Sequence, residues 1–492
     1  MLTHLPILQV IVPLMAAALC LILRHPRLVW MFTLSMSGLT FLISAALLQQ
    51  VVTSGTIIYE LGGWEAPWGI EYRIDLLNAY LLLIISAMST VVLIAAQTSI
   101  ENEIPKDRHV LFYILYLLSL TGMLGIVATG DVFNVFVFLE ISSLSAYALI
   151  AMGKDRRALW AAYQYLIMGT IGATFILIAV GLIYQMTGTL NMADLAERLP
   201  EVAHTRTVFA AFAFLIVGIC LKLALFPLHL WLPNAYAYAP SIVTVFLAAT
   251  ATKVAVYLLI RFTFSVFDLS FSFTTLPLQT LFVILGLIGI FAASITAIYQ
   301  RNVKHLFAYS SVAQIGYMIV GYSIGTATGL MATLLHVFNH ALMKGALFLA
   351  LGAVMYRVGS VQLNQFHGLG RQMPITMAAI VIGGLSLIGV PLTVGFVSKW
   401  YLILAALENG WWPVAVLILL GSLLAIVYVW RIVEVAYFRE AEAGSIPVKE
   451  APMAFLLPIW LLVAANIYFG VDTQLTVSVA GAASQSLFGG SP

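Results

Sequence analysis

The feature that most limits how this chain can fold is a series of apolar stretches, each about as long as a bilayer's hydrocarbon core is thick. A helical crossing needs about 20 apolar residues. Roughly fourteen such segments follow one another: 5–23, 28–50, 76–98, 109–128, 131–151, 160–184, 207–237, 241–262, 274–299, 305–323, 326–356, 375–407, 411–437 and 452–470. With 62% hydrophobic and 9% charged residues among 492, nothing is left over for a soluble domain. Lipid permits only helices or closed barrels, and segments of this length are helices. The reading is an all-α polytopic membrane protein with about 14 transmembrane helices. Met1 to Leu23 has no basic run ahead of its apolar stretch, so it reads as the first span and not as a cleaved leader. Cys20 and Cys220 sit in separate apolar runs and read as inert core residues. A net charge of +2 gives no reason to expect nucleic acid.

Orientation follows from the loops. One alternating set carries Arg24 and Arg27, Lys106 and Arg108, Lys154, Arg156 and Arg157, Arg301 and Lys304, Arg357 and Arg371, then Arg431, Arg439 and Lys449. The other carries only Arg73, Arg198, Arg206 and Arg261. The basic set is expected to face the cytoplasm. An even number of spans then puts both termini on the outer, periplasmic side of the cell (inner) membrane. The outer loop 51–74 holds Gly62-Gly63-Trp64 and Trp68, a turn with interfacial aromatics. The outer loop 187–206 has room for a short surface helix. The small and polar stretch from Gly481 to Pro492 is expected to be mobile.

Two spans are interrupted. The first reads Lys222-Leu223-Ala224-Leu225-Phe226-Pro227-Leu228-His229, and the second reads Ser386-Leu387-Ile388-Gly389-Val390-Pro391 before reaching Lys399. A proline inside a helix removes a donor and breaks the ladder. In lipid the freed carbonyls need partners or water. The breaks lie five spans apart, an odd number, so matching five-helix units would be inverted in the membrane. Paired broken helices are the best sequence pointer to an inverted-repeat transporter. Two packing kinks are the plainer alternative, weakened by the buried lysine beside each.

The apolar runs also hold ionisable residues, which mark ion or proton paths by default. Glu140 lies mid-span, and Lys222, Lys253, Lys344 and Lys399 lie in other spans. A lysine within reach of Glu140 would hold the carboxylate ionised, and breaking that contact would move a proton at one of the two. The alternative is a static structural pair. Buried lysine exchanges a proton readily and arginine does not. Lys222 and Lys253 lie too deep to snorkel to an interface. His336, His340 and Lys344, spaced by four, share one helix face and suit a hydrated wire. Two histidines at that spacing also suit zinc, but a lysine shares the face and no third ligand is near, so no metal is expected. Hydrogen-bonded core histidines are the other alternative. His229, just past the first break, either links the two halves of the first path or caps freed carbonyls. Glu434 either belongs to the path or pairs with Arg431. Asp75 opens a span as an N-cap.

The segments that carry these residues are Gly130-Asp131-Val132-Phe133-Asn134 leading to Glu140, Lys222 through Phe226-Pro227-Leu228-His229-Leu230-Trp231-Leu232-Pro233, and Ala237-Tyr238-Ala239-Pro240-Ser241 leading to Lys253. They continue with His336 through Asn339-His340-Ala341-Leu342-Met343-Lys344, and Gly389-Val390-Pro391 leading to Lys399. Over residues 70–440 the chain resembles the antiporter-like membrane subunits of respiratory complex I and of Mrp-type multisubunit cation/proton antiporters. The resemblance implies two inverted five-helix units, 109–265 and 266–440, each with a half-channel and one broken helix. A three-helix region, 1–108, precedes them, and a helix and tail, 441–492, follow. It implies that Glu140 pairs with Lys222, that Lys253 passes the proton to His336, His340 and Lys344, and that Lys399 is the terminal carrier. Some complex I members have glutamate at that last position. Thr187-Gly188-Thr189-Leu190-Asn191-Met192-Ala193-Asp194-Leu195, the compact turn Gly368-Leu369-Gly370-Arg371-Gln372-Met373-Pro374, and no long lateral helix after the last span make the chain most similar to the D-type member of Mrp antiporters. The run Ile141-Ser142-Ser143-Leu144-Ser145 is more polar than the family pattern and wets the surroundings of Glu140.

The expected function is therefore proton translocation as a subunit of a multisubunit Na+/H+ antiporter. The chain is expected to be a transporter subunit and not an enzyme, with no cofactor and with other membrane subunits as partners. Sodium needs carboxylate and carbonyl oxygens, and Glu140 is the one deep carboxylate, so sodium is expected to move wholly or partly elsewhere. The rival reading is a proton-pumping subunit of a redox-driven complex, of NADH:quinone oxidoreductase or membrane-bound hydrogenase type. With no cysteine cluster or nucleotide fingerprint, its redox site would lie in partner chains. A solute symporter would show a central polar cavity in place of a line of titratable residues, and a silent scaffold would have no need of the lysine series.

Overall fold

The computed structural model describes residues 2–23, 25–440 and 447–489. Its helices are α1 (Leu5–Leu23), α2 (Pro26–Ser54), α3 (Leu76–Glu103), α4 (His109–Ala128), α5 (Val132–Ala151), α6 (Arg156–Thr187), α7 (Met192–Val202), α8 (Arg206–Leu223), α9 (Trp231–Tyr238) and α10 (Ser241–Ile260). There follow α11 (Leu278–Tyr299), α12 (Val303–Ser323), α13 (Ala327–Val358), α14 (Leu369–Gln372), α15 (Pro374–Ile388), α16 (Val394–Glu408), α17 (Trp412–Val433), α18 (Met453–Val471) and α19 (Gln474–Leu487). Among the described residues, twelve helices are long and apolar enough to cross a membrane. The more polar α12 and the pair α15–α16 occupy the two other expected places. The chain is an all-α, multi-pass membrane protein.

Local sequence sets the helix starts. Asp75 and Asn78 bond reciprocally at 3.0 Å, a capping box that opens α3. Asp131 accepts the Asn134 amide at 2.7 Å and opens α5. Asp75 has a second role: its Oδ2 takes Arg261 Nη2 at 2.6 Å, and Asn78 Oδ1 takes the same nitrogen at 2.8 Å. This pair, buried on its arginine side, ties the far end of α10 to the start of α3.

The stretch 51–74 is more ordered than a turn. β1 (Ile57–Glu60) and β2 (Glu71–Ile74) pair antiparallel, with Ile57 opposite Ile74. Both are short β-branched and aromatic runs that suit a sheet and bracket the glycine turn. The hairpin clamps the start of α5. Gly130 N donates to Glu71 O at 2.9 Å, and Asn191 Nδ2 donates to Glu71 Oε1 at 3.0 Å. On the other side Val132 N donates to Leu190 O at 2.9 Å, and Met192 N to Gly130 O at 2.8 Å. These contacts fix the register from which α5 carries Glu140 inward. The expected surface helix is α7.

α10 and α13 form the buried axis. In each, 94% of the most apolar window is enclosed, so their lysines and histidines cannot reach lipid. α3 packs against both. The two expected breaks are present. α8 ends at Leu223, where Ala224 takes a left-handed φ of 58°. The chain resumes as α9 after Pro227, and Trp231 Nε1 caps Leu221 O at 2.9 Å. α15 ends at Ile388, and Gly389 adopts φ 92°, a conformation that favours glycine. The chain resumes as α16 after Pro391.

The composition from Gly481 onward predicts a mobile tail, and the structure corrects this. Residues through Leu487 complete α19, which lies on α13 and α3 with Ala480 and Ala483 fully buried. The small side chains that read as tail permit close packing. Residues 490–492 and 441–446 lie outside the described residues.

Candidate functional site

Glu140 sits about two and a half turns into α5. It is half-buried, and its Oε1 is enclosed without a hydrogen-bond partner. Lys222, at the end of α8, is 8% exposed, too enclosed for a snorkelling residue. Its Nζ donates to Ser143 Oγ at 2.8 Å and to Tyr147 OH at 3.4 Å, both on α5. The ion pairs among the described residues do not include Glu140 with Lys222. The direct pair implied by the family resemblance is therefore not the arrangement here. Ser143 lies one turn beyond Glu140 on the same face and takes the ammonium in its place. The unusually polar run after Glu140 was the signal for this, although its partner could not be read from it.

Aromatic packing holds the second acceptor. Tyr147 meets Tyr165 edge-on at 4.6 Å, and Tyr165 stacks on Trp231 at 3.9 Å. Trp231 thus caps the first break and backs the lysine's partner. Gly169 of α6 faces the Tyr147 hydroxyl, and a Cβ there would overlap it. Beside Lys222 a cavity of about 40 Å3 is lined by Ser119, Ser142 and Ser143 and reaches Ala251, Val254 and Ala255 of α10. That is room for roughly two or three waters next to the helix of Lys253.

On the central axis Lys253 is fully buried. Its Nζ donates to Ala248 O, with Thr252 Oγ1 at 3.4 Å. Lys344, also fully buried, donates to Phe307 O at 2.8 Å and to Ser310 Oγ. His336 is held at both nitrogens, Nδ1 with Ser398 Oγ at 2.8 Å and Nε2 with Gln314 Oε1 at 2.9 Å. Its ring lies parallel to that of His340 at 6.3 Å. Both ring nitrogens of His340 are buried without a protein partner. The expected histidine–histidine–lysine stripe is thus present, and α12 lines it with Ser310 and Gln314, which sequence reading missed. Their signal was a polar face, Ser310, Ser311 and Gln314, in an otherwise apolar span.

Lys399 caps the second break. Its Nζ donates to Leu387 O at 2.9 Å, Ile388 O at 3.0 Å and Ser422 Oγ at 3.0 Å. A cation at a helix C-terminus is favoured, and here it satisfies two carbonyls that the break frees. Ser398, its neighbour, already holds His336. Side chains therefore connect α13 to α17 through the start of α16.

The two secondary residues differ in outcome. His229 stacks on Phe226 at 5.2 Å with its Nδ1 unpartnered, and its ring lies against the Pro227 backbone at the break, in keeping with the capping alternative. Glu434 pairs with Arg439 at 2.9 Å and not with Arg431. Glu434 to Phe438 is wound as a π turn, whose i to i+5 spacing brings Arg439 over Glu434. Among the described residues no three His, Cys, Asp or Glu side chains form a group that could hold a metal ion.

Residues 129–425 match the transmembrane family described as NADH:quinone oxidoreductase/Mrp antiporter. The chain belongs to this family. The N-type member of the NADH-quinone oxidoreductase of Desulforudis audaxviator is 41% identical over 508 residues, covering 97% of this chain and 98% of that protein. The D-type member of the Na(+)/H(+) antiporter of Alkalihalophilus pseudofirmus is 31% identical over 433 residues, covering 88% and 86%. A chain of an archaeal membrane-bound sulfane sulfur reductase superposes with a TM-score of 0.91 at 33% identity, covering 98% of both chains.

This member of the family also has a polar mouth on the face of its basic loops. A cavity of about 510 Å3 is lined by Glu103, Lys154, Asp155, Arg157, Tyr238 and Lys304, among others. Lys304 is 1% exposed, and its Nζ donates to Ser241 Oγ at 3.0 Å. Glu103 Oε2 accepts from Ser241 N at 2.8 Å and from Ser241 Oγ at 3.0 Å. A carboxylate at the start of α10 suits the helix dipole. At the rim, hydrogen bonds from Arg157 hold the Asp155 carboxyl below the usual carboxylate range. Sequence reading assigned Lys304 to a basic loop and passed over Glu103, because the fold alone brings both to Ser241.

Proposed function

We propose that this chain moves protons across the membrane through Lys222, Lys253, His340, Lys344, His336 and Lys399, as an antiporter-like subunit of a multisubunit membrane assembly. One observation carries the reading. Lys222 bonds hydroxyls with Glu140 one turn away, and Lys253, Lys344 and Lys399 are held by hydroxyls and carbonyls with no carboxylate bonded to them. Such an ammonium can lose its proton without stranding a buried opposite charge, which is the main penalty when a buried ion pair is broken. Glu140 and Ser143 give Lys222 two seats on one face of α5. At the carboxylate the ammonium keeps its proton; at the hydroxyl it is free to pass it on.

The units 109–265 and 266–440 serve as the two inverted halves, and the face of the basic loops is cytoplasmic, with both termini outside. The Glu103–Ser241–Lys304 cluster is a cytoplasmic mouth, from which α12 leads inward through Ser310 and Gln314. His229 and Glu434 have no part in the transfer itself. The 41% identity to an N-type oxidoreductase chain over nearly the whole of both chains favours a redox-driven assembly, whose redox centres would lie in partner chains. The D-type antiporter relative, at 31%, supports exchange with sodium. In both settings this chain carries protons, and sodium passes elsewhere.

The test is proton flux in everted vesicles carrying the whole gene cluster, driven in turn by a sodium gradient and by an electron donor. Wild type is compared with Lys222→Ala, Glu140→Ala and Lys304→Ala, with assembly checked on a native gel. Loss of flux in an intact assembly is expected for all three, and the driving force that works identifies the assembly. Wild-type flux in Lys222→Ala would rule the path out.

A further inference from the structure

The parting of Glu434 from Arg431 leaves a charged cluster that the proton path does not use. A cavity of about 590 Å3 opens between the α11–α12 link, the end of α17 and the segment after Gln362. Arg301, Arg431, Arg439 and His367 line it, and among the described residues Glu434 is its one carboxylate. Arg439 engages Glu434 at 2.9 Å. Arg431 reaches Gln300 O at 3.4 Å, and Arg301 has no ion pair among the described residues. Among the described residues three arginines thus line, with one carboxylate, a cavity of ample volume for a phosphate. Guanidinium presents a planar fork that matches two phosphate oxygens.

The surroundings indicate where the phosphate comes from. Tyr299, Trp430 and Phe438, each next to or near one of the arginines in sequence, are 78%, 52% and 71% exposed. Aromatic side chains of this kind mark the headgroup level of a bilayer. From that level α17 runs into the membrane with Leu423, Ile426 and Val427 exposed, packed beside α11, where Ile295 is exposed. A soluble anion would fill the cavity and leave this apolar strip unused; a lipid would occupy both. Basic pockets between transmembrane helices at the membrane surface take anionic headgroups. We propose that Arg301, Arg431 and Arg439 form a headgroup site for an anionic phospholipid whose acyl chains lie along the α11–α17 seam, with Glu434 orienting Arg439.

The test uses the whole assembly, purified in mild detergent. Tightly held phospholipid is quantified by mass spectrometry for wild type, for Arg301→Gln with Arg431→Gln, and for the charge-keeping Arg301→Lys with Arg431→Lys. The expected result is at least about tenfold weaker retention of phosphatidylglycerol or cardiolipin in the glutamine variant. The lysine variant is expected to be intermediate, and phosphatidylethanolamine unchanged. Equal anionic lipid in all three would overturn the site. A second measurement needs no variant: the thermal transition of delipidated wild-type assembly with added phosphatidylglycerol, phosphatidylcholine or inorganic phosphate. Stabilisation by phosphatidylglycerol alone supports the proposal. Equal stabilisation by inorganic phosphate would make this a free-anion site, and equal stabilisation by phosphatidylcholine would show no headgroup selection; each outcome overturns it.

Discussion

Lys222 donates to Ser143 at 2.8 Å, while the nearest carboxylate on the same helix face, Glu140, keeps a buried Oε1 with no partner. The lysine thus rests on a hydroxyl oxygen one turn away from a carboxyl oxygen. Ser143→Ala removes the nearer neutral seat and leaves the carboxyl of Glu140 and the more distant Tyr147 hydroxyl as acceptors. Proton flux is expected to fall about tenfold in an assembly of normal size, the worth of one hydrogen bond to a charged group. Unchanged flux in everted vesicles would eliminate the two-seat arrangement.

Gly169 leaves no room for a side chain beside the Tyr147 hydroxyl. Gly169→Ala is expected to destabilise the protein by about 1–3 kcal/mol through overpacking. Adding Tyr147→Phe removes the clashing oxygen and is expected to restore much of that loss. Thermal transitions of the two single variants and the double variant measure the coupling; strictly additive effects would show that the two residues do not meet.

Lys399 is expected to separate structure from transport. Lys399→Ala uncaps Leu387 O and Ile388 O and is expected to cost about 1–3 kcal/mol for each carbonyl left buried and unpaired. Lys399→Arg keeps a capping cation that cannot discharge. The arginine variant is therefore expected to assemble and yet lose flux, which a native gel and the vesicle assay together reveal. Normal flux with arginine would remove Lys399 from the path.

The pair of Asp75 with Arg261 should matter to stability and little to proton chemistry. Asp75→Ala strands a buried guanidinium and is expected to cost about 3–5 kcal/mol. Replacing both residues by leucine is expected to recover most of that loss. Thermal unfolding of the assembled variants checks this, and equal loss in the single and double variants would contradict it.

The sequence disclosed what lipid makes conspicuous. Lys222, Lys253, Lys344 and Lys399 stand out in apolar runs, and Pro227 and Pro391 announce the breaks, because hydrocarbon gives such residues few other roles. Their partners were hidden for the opposite reason. Ser143, Ser310, Ser398 and Ser422 are ordinary serines of membrane helices, where a hydroxyl can bond its own backbone, and only packing shows which of them face a lysine or histidine. The same holds for Glu103 and Lys304, which end different helices and meet at Ser241. The hairpin at 57–74 was obscured because two strands of four residues leave too little alternation to register.

An ammonium carries three N–H bonds, and Lys399 spends one on each carbonyl of the α15 terminus and one on Ser422. After release of a proton two N–H bonds remain, enough for both carbonyls. The nitrogen then has a lone pair to offer, and Ser422, whose hydroxyl now donates to Ile418 O at 3.2 Å, can rotate to meet it. Deprotonating Lys399 therefore asks for the turn of one hydroxyl and leaves the helix end fully bonded. The kinked backbone can stay still while its charge comes and goes.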